Sequence, residues 1–402
     1  MYLQAKRRGL EDDMRVLIVA PTFFPEKDVG IFRMTTLADY LISKEVDVTV
    51  IRKSTEGIQE TDRIPYQYLK KAEEIKVKDT GTFIQGCRNY KREILEYCNS
   101  HHVDIIVYTC APYYAMKIAP EIKNKNNIPY VIDIRDFWLK NDEESKVTVI
   151  KQNIIYPLKW YLQNRAFKQA SNIIVVSENM KKKYEKYFYQ HKAKLRIIYN
   201  GYDDQRVCKQ NYNLEQSFLS DMNDDSIIKI GFSGVFCQYS KKFAEYLLQG
   251  INELNQKGYK IKLFHMGKFE KDVNEIILNK KYNPEIYQHL GYIPNEICID
   301  LLKKMDANAI INFRKRGLGT KIFDYLYCGK PVLYVGIQET ELADFLKESG
   351  CKSLCADVEQ IKNSIIQFKN ETVLSNCIGV GRYKRSVQNR EYYKILQEVL
   401  GE

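Results

Sequence analysis

The residues best suited to chemistry lie between Asn312 and Gly336, NFRKRGLGTKIFDYLYCGKPVLYVG. Arg314, Lys315, Arg316 and Lys321 surround the small-residue run Gly317, Leu318, Gly319 and Thr320. Glycines let the backbone approach a ligand closely, and arginine and lysine suit phosphate oxygens. The chemistry this predicts is binding and neutralisation of phosphate; the plainer alternative is a solvated basic loop. After the loop, the residues around Asp324 read as a short helix and 332–335 as a buried strand, punctuated by Pro331. Loop, helix and strand in that order are how an α/β domain presents a ligand site.

A second cluster, Arg135, Asp136, Phe137 and Trp138, follows directly on the apolar run 130–134, and Tyr113 follows the apolar run 104–108. Aromatics beside paired polar groups suit a sugar, whose ring has apolar faces and a hydroxyl rim. The alternatives are a buried Arg–Asp pair that orders the loop, and core aromatics. Gly30 and Arg33 follow the first apolar run, RVLIVAP. Gly30 allows close approach at a helix start or is a turn glycine. Arg33 lies one turn into that helix, where it holds an anionic group or makes a salt bridge. No GxGxxG fingerprint occurs, so NAD or FAD has little support. The ten cysteines are scattered without a CxxC pair or a Cys/His cluster at metal-ligand spacing. We therefore expect reduced thiols and no metal.

The elements that must position these residues follow from periodicity. Apolar runs predict strands at 15–21, 46–51, 104–108, 130–134, 172–176 and 195–199, with a short strand near 82–84. Helical spacing predicts helices at 32–43, 90–97, 114–124 and 151–170, and one beginning at the cap Ser177. The pattern restarts with strands at 227–232, 261–266, 287–290, 309–313, 332–335 and 351–355. Helices are expected at 241–257, 272–279, 339–348, 358–368 and 384–400, with one more capped by Asn295. Residues 1–13 read as a loose tail, 14–203 as a first α/β domain, 204–225 as a polar linker and 226–380 as a second α/β domain. The helix beyond 380 is expected to pack back on the first domain. Two such domains imply a cleft between them.

At 402 residues and 45% apolar content the chain can bury real cores, which excludes wholesale disorder. The charge of +11 is uneven: residues 151–200 hold 11 Lys/Arg and 2 Asp/Glu. The lysine-rich segment 181–196 predicts contact with an anionic membrane surface, or a solvated helix face. No apolar stretch reaches transmembrane length and no signal-peptide pattern opens the chain, so a soluble or peripheral protein is expected. The basic patch lacks an accompanying nucleic-acid motif, and no nucleic-acid partner is expected.

With these pieces placed, the chain resembles the retaining glycosyltransferases of family 4, in their bacterial surface-polysaccharide branch. The motifs that carry the resemblance are RVLIVAPTFFPE with Gly30 and Arg33, IDIRDFW, VVSENM, IIYNGYD, IGFSGVF, LGYIP and TKIFDYLYCGKPVL. The resemblance implies two Rossmann-like domains facing each other across a cleft, the GT-B arrangement. It also implies a hexosyltransferase-type activity needing no cofactor or metal, with a nucleotide sugar, UDP-linked, as donor substrate. The acceptor would be a glycan or lipid-linked glycan at the cytosolic face of the membrane. Donor binding falls on Gly30, Ser233, Gly234, Lys241, Lys242, Arg314, Gly317, Leu318, Gly319, Thr320, Lys321 and Asp324. Acceptor binding falls on Arg33, Tyr113, Arg135, Asp136, Phe137 and Trp138. Lys321, Arg316 and Asp136 are the expected catalytic groups. The family's common pattern has two acidic residues eight positions apart; Asp324 matches the second, and Arg316 stands where the first would be. Thr320, Lys321, Asp324 and Tyr325 resemble the shortened form of that motif. A nucleotide-sugar 2-epimerase and a non-catalytic nucleotide- or glycan-binding partner are the alternatives.

Overall fold

The computed structural model describes residues 14–26, 30–54, 66–78, 81–139, 146–204, 216–370 and 380–401, and the side chains of all of these but 146–154, 216–217, 296 and 369–370. The expected tail at 1–13 lies outside them. The chain divides into two compact units, residues 1–200 with 385–402 and residues 201–384.

The first unit holds a seven-stranded sheet of β1 (Arg15–Val19), β2 (Asp47–Lys53), β3 (Glu73–Val77), β4 (Ile105–Cys110), β5 (Tyr130–Ile134), β6 (Asn172–Val175) and β7 (Leu195–Ile197). Their order is β3-β2-β1-β4-β5-β6-β7 and every pairing is parallel. The connecting helices are α1 (Ile31–Ile42), α2 (Phe83–Ser100), α3 (Ala115–Asn126), α4 (Lys146–Gln169) and α5 (Glu178–Tyr187). Side chains alternate across a strand. Leu17, Ile106 and Ile132 therefore pack on one face with Ile94 and Ile118, and Ile18, Val107 and Val131 pack on the other with Leu37 and Leu41. Burial on both faces is why these strands read as continuous apolar runs.

The second unit repeats the plan. It begins with α6 (Gln216–Asn223) and has strands β8 (Ile228–Ser233), β9 (Ile261–Met266), β10 (Tyr287–His289), β11 (Ala307–Asn312), β12 (Val332–Gly336) and β13 (Leu354–Cys355). Their order is β10-β9-β8-β11-β12-β13, again parallel throughout. Its other helices are α7 (Lys241–Gln256), α8 (Lys271–Asn279), α9 (Asn295–Leu302), α10 (Lys321–Cys328), α11 (Glu341–Glu348) and α12 (Val358–Asn370). The last helix, α13 (Arg385–Leu400), belongs to the first unit, where the Asn389 side chain donates to Thr36 O on α1 at 3.0 Å. Both sheets have the Rossmann order, with the strand order reversing beside the first strand of each.

Three local expectations are corrected. Thr82–Ile84 is not a strand: Thr82 caps α2, its hydroxyl accepting from Gln85 N–H at 3.4 Å. The stretch expected as a linker contains α6, which is anchored by Phe218 against Phe264 and by Asp221 against Lys262. Asn295 opens α9 but does not cap it; Pro294 holds the cap position. The strand β3, EEIKV, went unanticipated because most of its side chains are at least partly exposed and charged.

Candidate functional site

In open parallel sheets, ligands bind beyond the carboxyl ends of the strands where the strand order reverses. In the second unit that point lies between β8 and β11. There β8 delivers Ser233 and Gly234, β11 delivers Asn312 and the basic loop, and α10 begins with Lys321. Lys321 Nζ donates to Ser233 O at 3.1 Å. Gly234 has φ +93°, and a Cβ there would stand 1.6 Å from Lys321 Nζ. Glycine is thus required twice, for the backbone conformation and to admit the ammonium.

The carbonyl of Gly234 is itself held. It accepts from His265 Nε2 at 2.5 Å, and the other ring nitrogen, Nδ1, accepts from the Tyr287 hydroxyl at 2.7 Å. His265 is fully buried, and burial pushes its pKa down to about 4, so the ring is neutral at ordinary pH. Gly267 packs so tightly beneath that a Cβ would lie 2.0 Å from Gly234 O. From α10, the buried Tyr325 hydroxyl accepts Ser233 N–H at 2.9 Å. The turn that follows is laced by one carboxylate: Glu270 accepts from the backbone N–H of Phe236, Cys237 and Gln238, the last at 3.0 Å. Burial pushes the Lys321 pKa below its ordinary value, while Cys298, Asp324 and Glu270 act in the opposite direction.

The basic loop is tied at both ends. Asn312 brackets Arg314, its Oδ1 accepting Arg314 N–H at 3.1 Å and its Nδ2 donating to Arg314 O at 3.0 Å. Gly317, at φ +97°, donates its N–H to the buried Glu341 at 2.6 Å, and Glu341 N–H returns to Lys315 O at 3.0 Å. The Arg314 guanidinium and Lys321 Nζ both approach the Tyr239 ring, at 5.5 and 5.9 Å from its centroid. Arg314 and Arg316 are exposed, and so are Gly317 and Gly319; Leu318 and Thr320 are half-buried. Thr320 is the N-cap of α10 and makes no side-chain capping bond. Asp324 sits half-buried in the helix's first turn. The arrangement gathers cations and a helix N-terminus, which together suit an oxyanion. Lys241 pairs with Asp272 at 2.7 Å on the surface, and Lys242 lies over the Tyr246 ring.

In the first unit the corresponding ends are those of β1, β4 and β5. Arg135 ties the loops beyond them together, donating to Gly30 O at 2.7 Å and to Ala111 O at 3.4 Å. Arg135 thus braces backbone, and Asp136 beside it is exposed. The Tyr113 hydroxyl donates to Asp136 O at 2.7 Å, and its ring stacks on Trp138 at 5.1 Å. Trp138 also stacks on Phe83 at 6.1 Å. Phe137 packs on Tyr184 and Tyr187, with Lys183 Nζ 3.7 Å from its ring centroid. Half-buried aromatics beside an exposed carboxylate can receive a sugar ring. Arg33 is buried and its guanidinium is occupied: Nε and Nη2 donate to Asp133 at 2.8–3.0 Å, and Nη1 donates to Tyr199 O at 3.0 Å.

Sequence reasoning passed over Asp133, Tyr239, His265, Glu270 and Glu341. A carboxylate inside the doubly buried strand YVIDI was a readable signal, because such a group demands a partner. The others had none, since their partners are distant in sequence. Among the described residues no cluster of His, Cys, Asp or Glu suited to a metal ion occurs, and no helix is long and apolar enough to cross a membrane.

No curated protein matches the chain in sequence. Among solved structures, a glycosyltransferase from Rickettsia africae superposes with TM-score 0.65 at 16% identity, covering 97% of this chain and 99% of that one. Anabaena HepE in complex with UDP and glucose gives TM-score 0.64 at 15% identity, covering 96% and 100%. A putative UDP-N-acetylglucosamine 2-epimerase from Listeria monocytogenes gives 0.62 at 11%, covering 96% of each chain. These likenesses establish the fold as the two-Rossmann GT-B type. Within it, residues 33–206 match the Glycosyltransferase Family 4 domain.

Proposed function

We propose that the protein is a retaining, metal-independent glycosyltransferase of hexosyltransferase type. It moves a sugar from a UDP-sugar to a glycan or lipid-linked glycan precursor of a bacterial surface polysaccharide, at the cytosolic face of the membrane. The observation that carries the reading is the Lys321 ammonium, fixed on Ser233 O against Gly234 at the reversal point of the second sheet. The family match over residues 33–206 supports it, as does the likeness to HepE, which was solved with UDP and glucose.

In this reading the second unit binds the donor. As the glycosidic bond opens, negative charge grows on the leaving β-phosphate. Lys321 and Arg314, with Arg316 and the N-terminus of α10, stabilise that charge. Asp324 accepts the ribose hydroxyls. The acceptor hydroxyl attacks from the face the phosphate leaves and passes its proton to that phosphate, so configuration is kept without a protein nucleophile. Tyr113, Phe137 and Trp138 give the acceptor a stacking surface, with Asp136 at its polar edge.

A melting screen against UDP, GDP, ADP and their sugars tests the donor class; saturating UDP should stabilise the protein by about 2.7 kcal/mol at a hundred times its Kd. Lys321→Ala should keep the fold, lose that stabilisation and reduce transfer about 100-fold or more. Unchanged turnover would remove Lys321 from the site. Conversion of a UDP-sugar with no acceptor present would make the protein a nucleotide-sugar 2-epimerase instead. Silence across the whole panel would overturn the donor reading.

A further inference from the structure

From Ser233 to Gln238 the chain passes from the end of β8 into the turn before α7, and its backbone N–H groups are taken one after another. Ser233 donates to the Tyr325 hydroxyl, Gly234 to Met266 O at 2.7 Å, and Phe236, Cys237 and Gln238 to Glu270. The exception is Val235. Its N–H meets no acceptor among the described residues, although the residue is half-buried. A donor left over in a turn whose other donors are all paired marks a place where a ligand or water completes the bond.

The direction of that N–H is fixed from behind. The Gly234–Val235 peptide is trans, so the Gly234 carbonyl and the Val235 N–H point opposite ways. The carbonyl is held on the β9 side by His265 Nε2 at 2.5 Å, in a space that Gly267 leaves open. The His265 ring is held in turn by the Tyr287 hydroxyl on its Nδ1. The Val235 N–H therefore points away from β9. The preceding peptide shows what lies on that side. Gly234 N–H points to Met266 on β9, so Ser233 O points the other way, and there it meets the Lys321 ammonium at 3.1 Å. An ammonium has three donors, and Ser233 O is the one acceptor they meet among the described residues. A backbone N–H and a cation with donors to spare thus lie on one side of the end of β8, where the strand order reverses. Two fixed donors, one of them charged, suit an anionic oxygen.

We infer that the Val235 N–H is an oxyanion donor that works beside Lys321 on the terminal phosphate of a nucleoside diphosphate, and that His265 is its positioning residue, acting through the Gly234 carbonyl. This rests on the donor reading of the second unit and adds to it one backbone group and one buried side chain. Without the His265 donor the peptide is free to turn over, which would set a carbonyl oxygen, itself an acceptor, against the phosphate.

Calorimetric titration of the full chain with UDP and with uridine separates the phosphates from the rest of the ligand. Val235→Pro deletes the N–H and should weaken UDP binding about tenfold or more while uridine affinity is unchanged. His265→Leu should have the same selective effect. His265→Gln, whose amide can again donate to Gly234 O, should restore most of the loss. A merely structural role for His265 would weaken uridine as much as UDP. Amide exchange on the wild type keeps the test alive where a variant does not fold: the Val235 amide should be slowed about tenfold or more by saturating UDP and far less by uridine. Undiminished UDP affinity in Val235→Pro, equal losses for UDP and uridine in His265→Leu, or Val235 exchange that UDP leaves unmoved overturns the inference while the donor reading stands, because the wild type still binds UDP. A wild type that binds no UDP overturns both.

Discussion

His265 shows how one residue ties stability to the site. It is buried neutral, with Nε2 on Gly234 O and Nδ1 on the Tyr287 hydroxyl. Its pKa is about 4 in the folded protein against an ordinary 6.5, so the unfolded chain binds the proton first as pH falls. The stability this group contributes is complete above pH 6.5 and is lost as pH falls through the folded value near 4; the loss amounts to about 3 kcal/mol. Denaturant titrations across that window should show the fall, and His265→Asn should shrink it. A variant with the same pH slope as wild type would place the effect elsewhere. None of this was legible in IKLFHM, a predicted strand in which nothing marks the partners of His265, which are distant in sequence. By contrast the Ser233-Gly234 turn at a strand end and the glycine-containing basic loop before Lys321 were legible as local features, and the structure brings them together, Lys321 Nζ donating to Ser233 O. For Lys241 the resemblance implied a donor-binding cation, and in the structure Asp272 on the next helix gives it a surface partner.

At the scale of elements, what positions Gly234 is a turn held from outside itself. The carboxylate of Glu270, one residue before α8, takes three successive backbone N–H groups between β8 and α7. Charge-assisted bonds to backbone are among the stronger ones, and a turn without its own secondary structure depends on them. Glu270→Ala should raise amide exchange at Phe236, Cys237 and Gln238 about tenfold or more while the interiors of β8 and β9 stay protected. Unchanged exchange at those three amides would mean the turn holds itself. Elements buried on both faces were readable almost to the residue, as in β5 and β9, because an apolar run has no other good explanation there. Elements at the edge were not. The strand β3 carries charge on its exposed positions, and the start of α2 mixes a capping threonine with Phe83 and Ile84, which periodicity over three residues cannot separate from a strand. Gly86 inside α2 is likewise intelligible once Tyr114 is seen: a Cβ at Gly86 would lie 2.2 Å from its ring.

Across the whole molecule, one strand order is used twice, and the chain leaves the first unit after Asn200 and re-enters it at Arg385. Strand order was beyond the reach of the sequence, since spacing along a chain says nothing about which parallel strands are neighbours. The return of α13 was expected in outline, but its partners are set by contacts spanning most of the chain: Asn389 reaches Thr36 O at 3.0 Å, and Gln388 accepts Tyr199 N–H at 2.7 Å. Tyr392, Ile395 and Leu396 complete the apolar layer that α1 shares, with Leu396 fully buried. The first unit is therefore finished only after the second has been made. Leu396→Ala leaves a cavity in that layer and should cost about 2–5 kcal/mol of stability. Because α13 covers α1, amide exchange should rise in α1 along with α13, whereas the strands of the second unit, which share no core residue with Leu396, keep their protection. If exchange rose in α13 alone, the helix would be an appendage laid on a unit already complete without it; if it rose evenly through both sheets, the two units would unfold as one cooperative body.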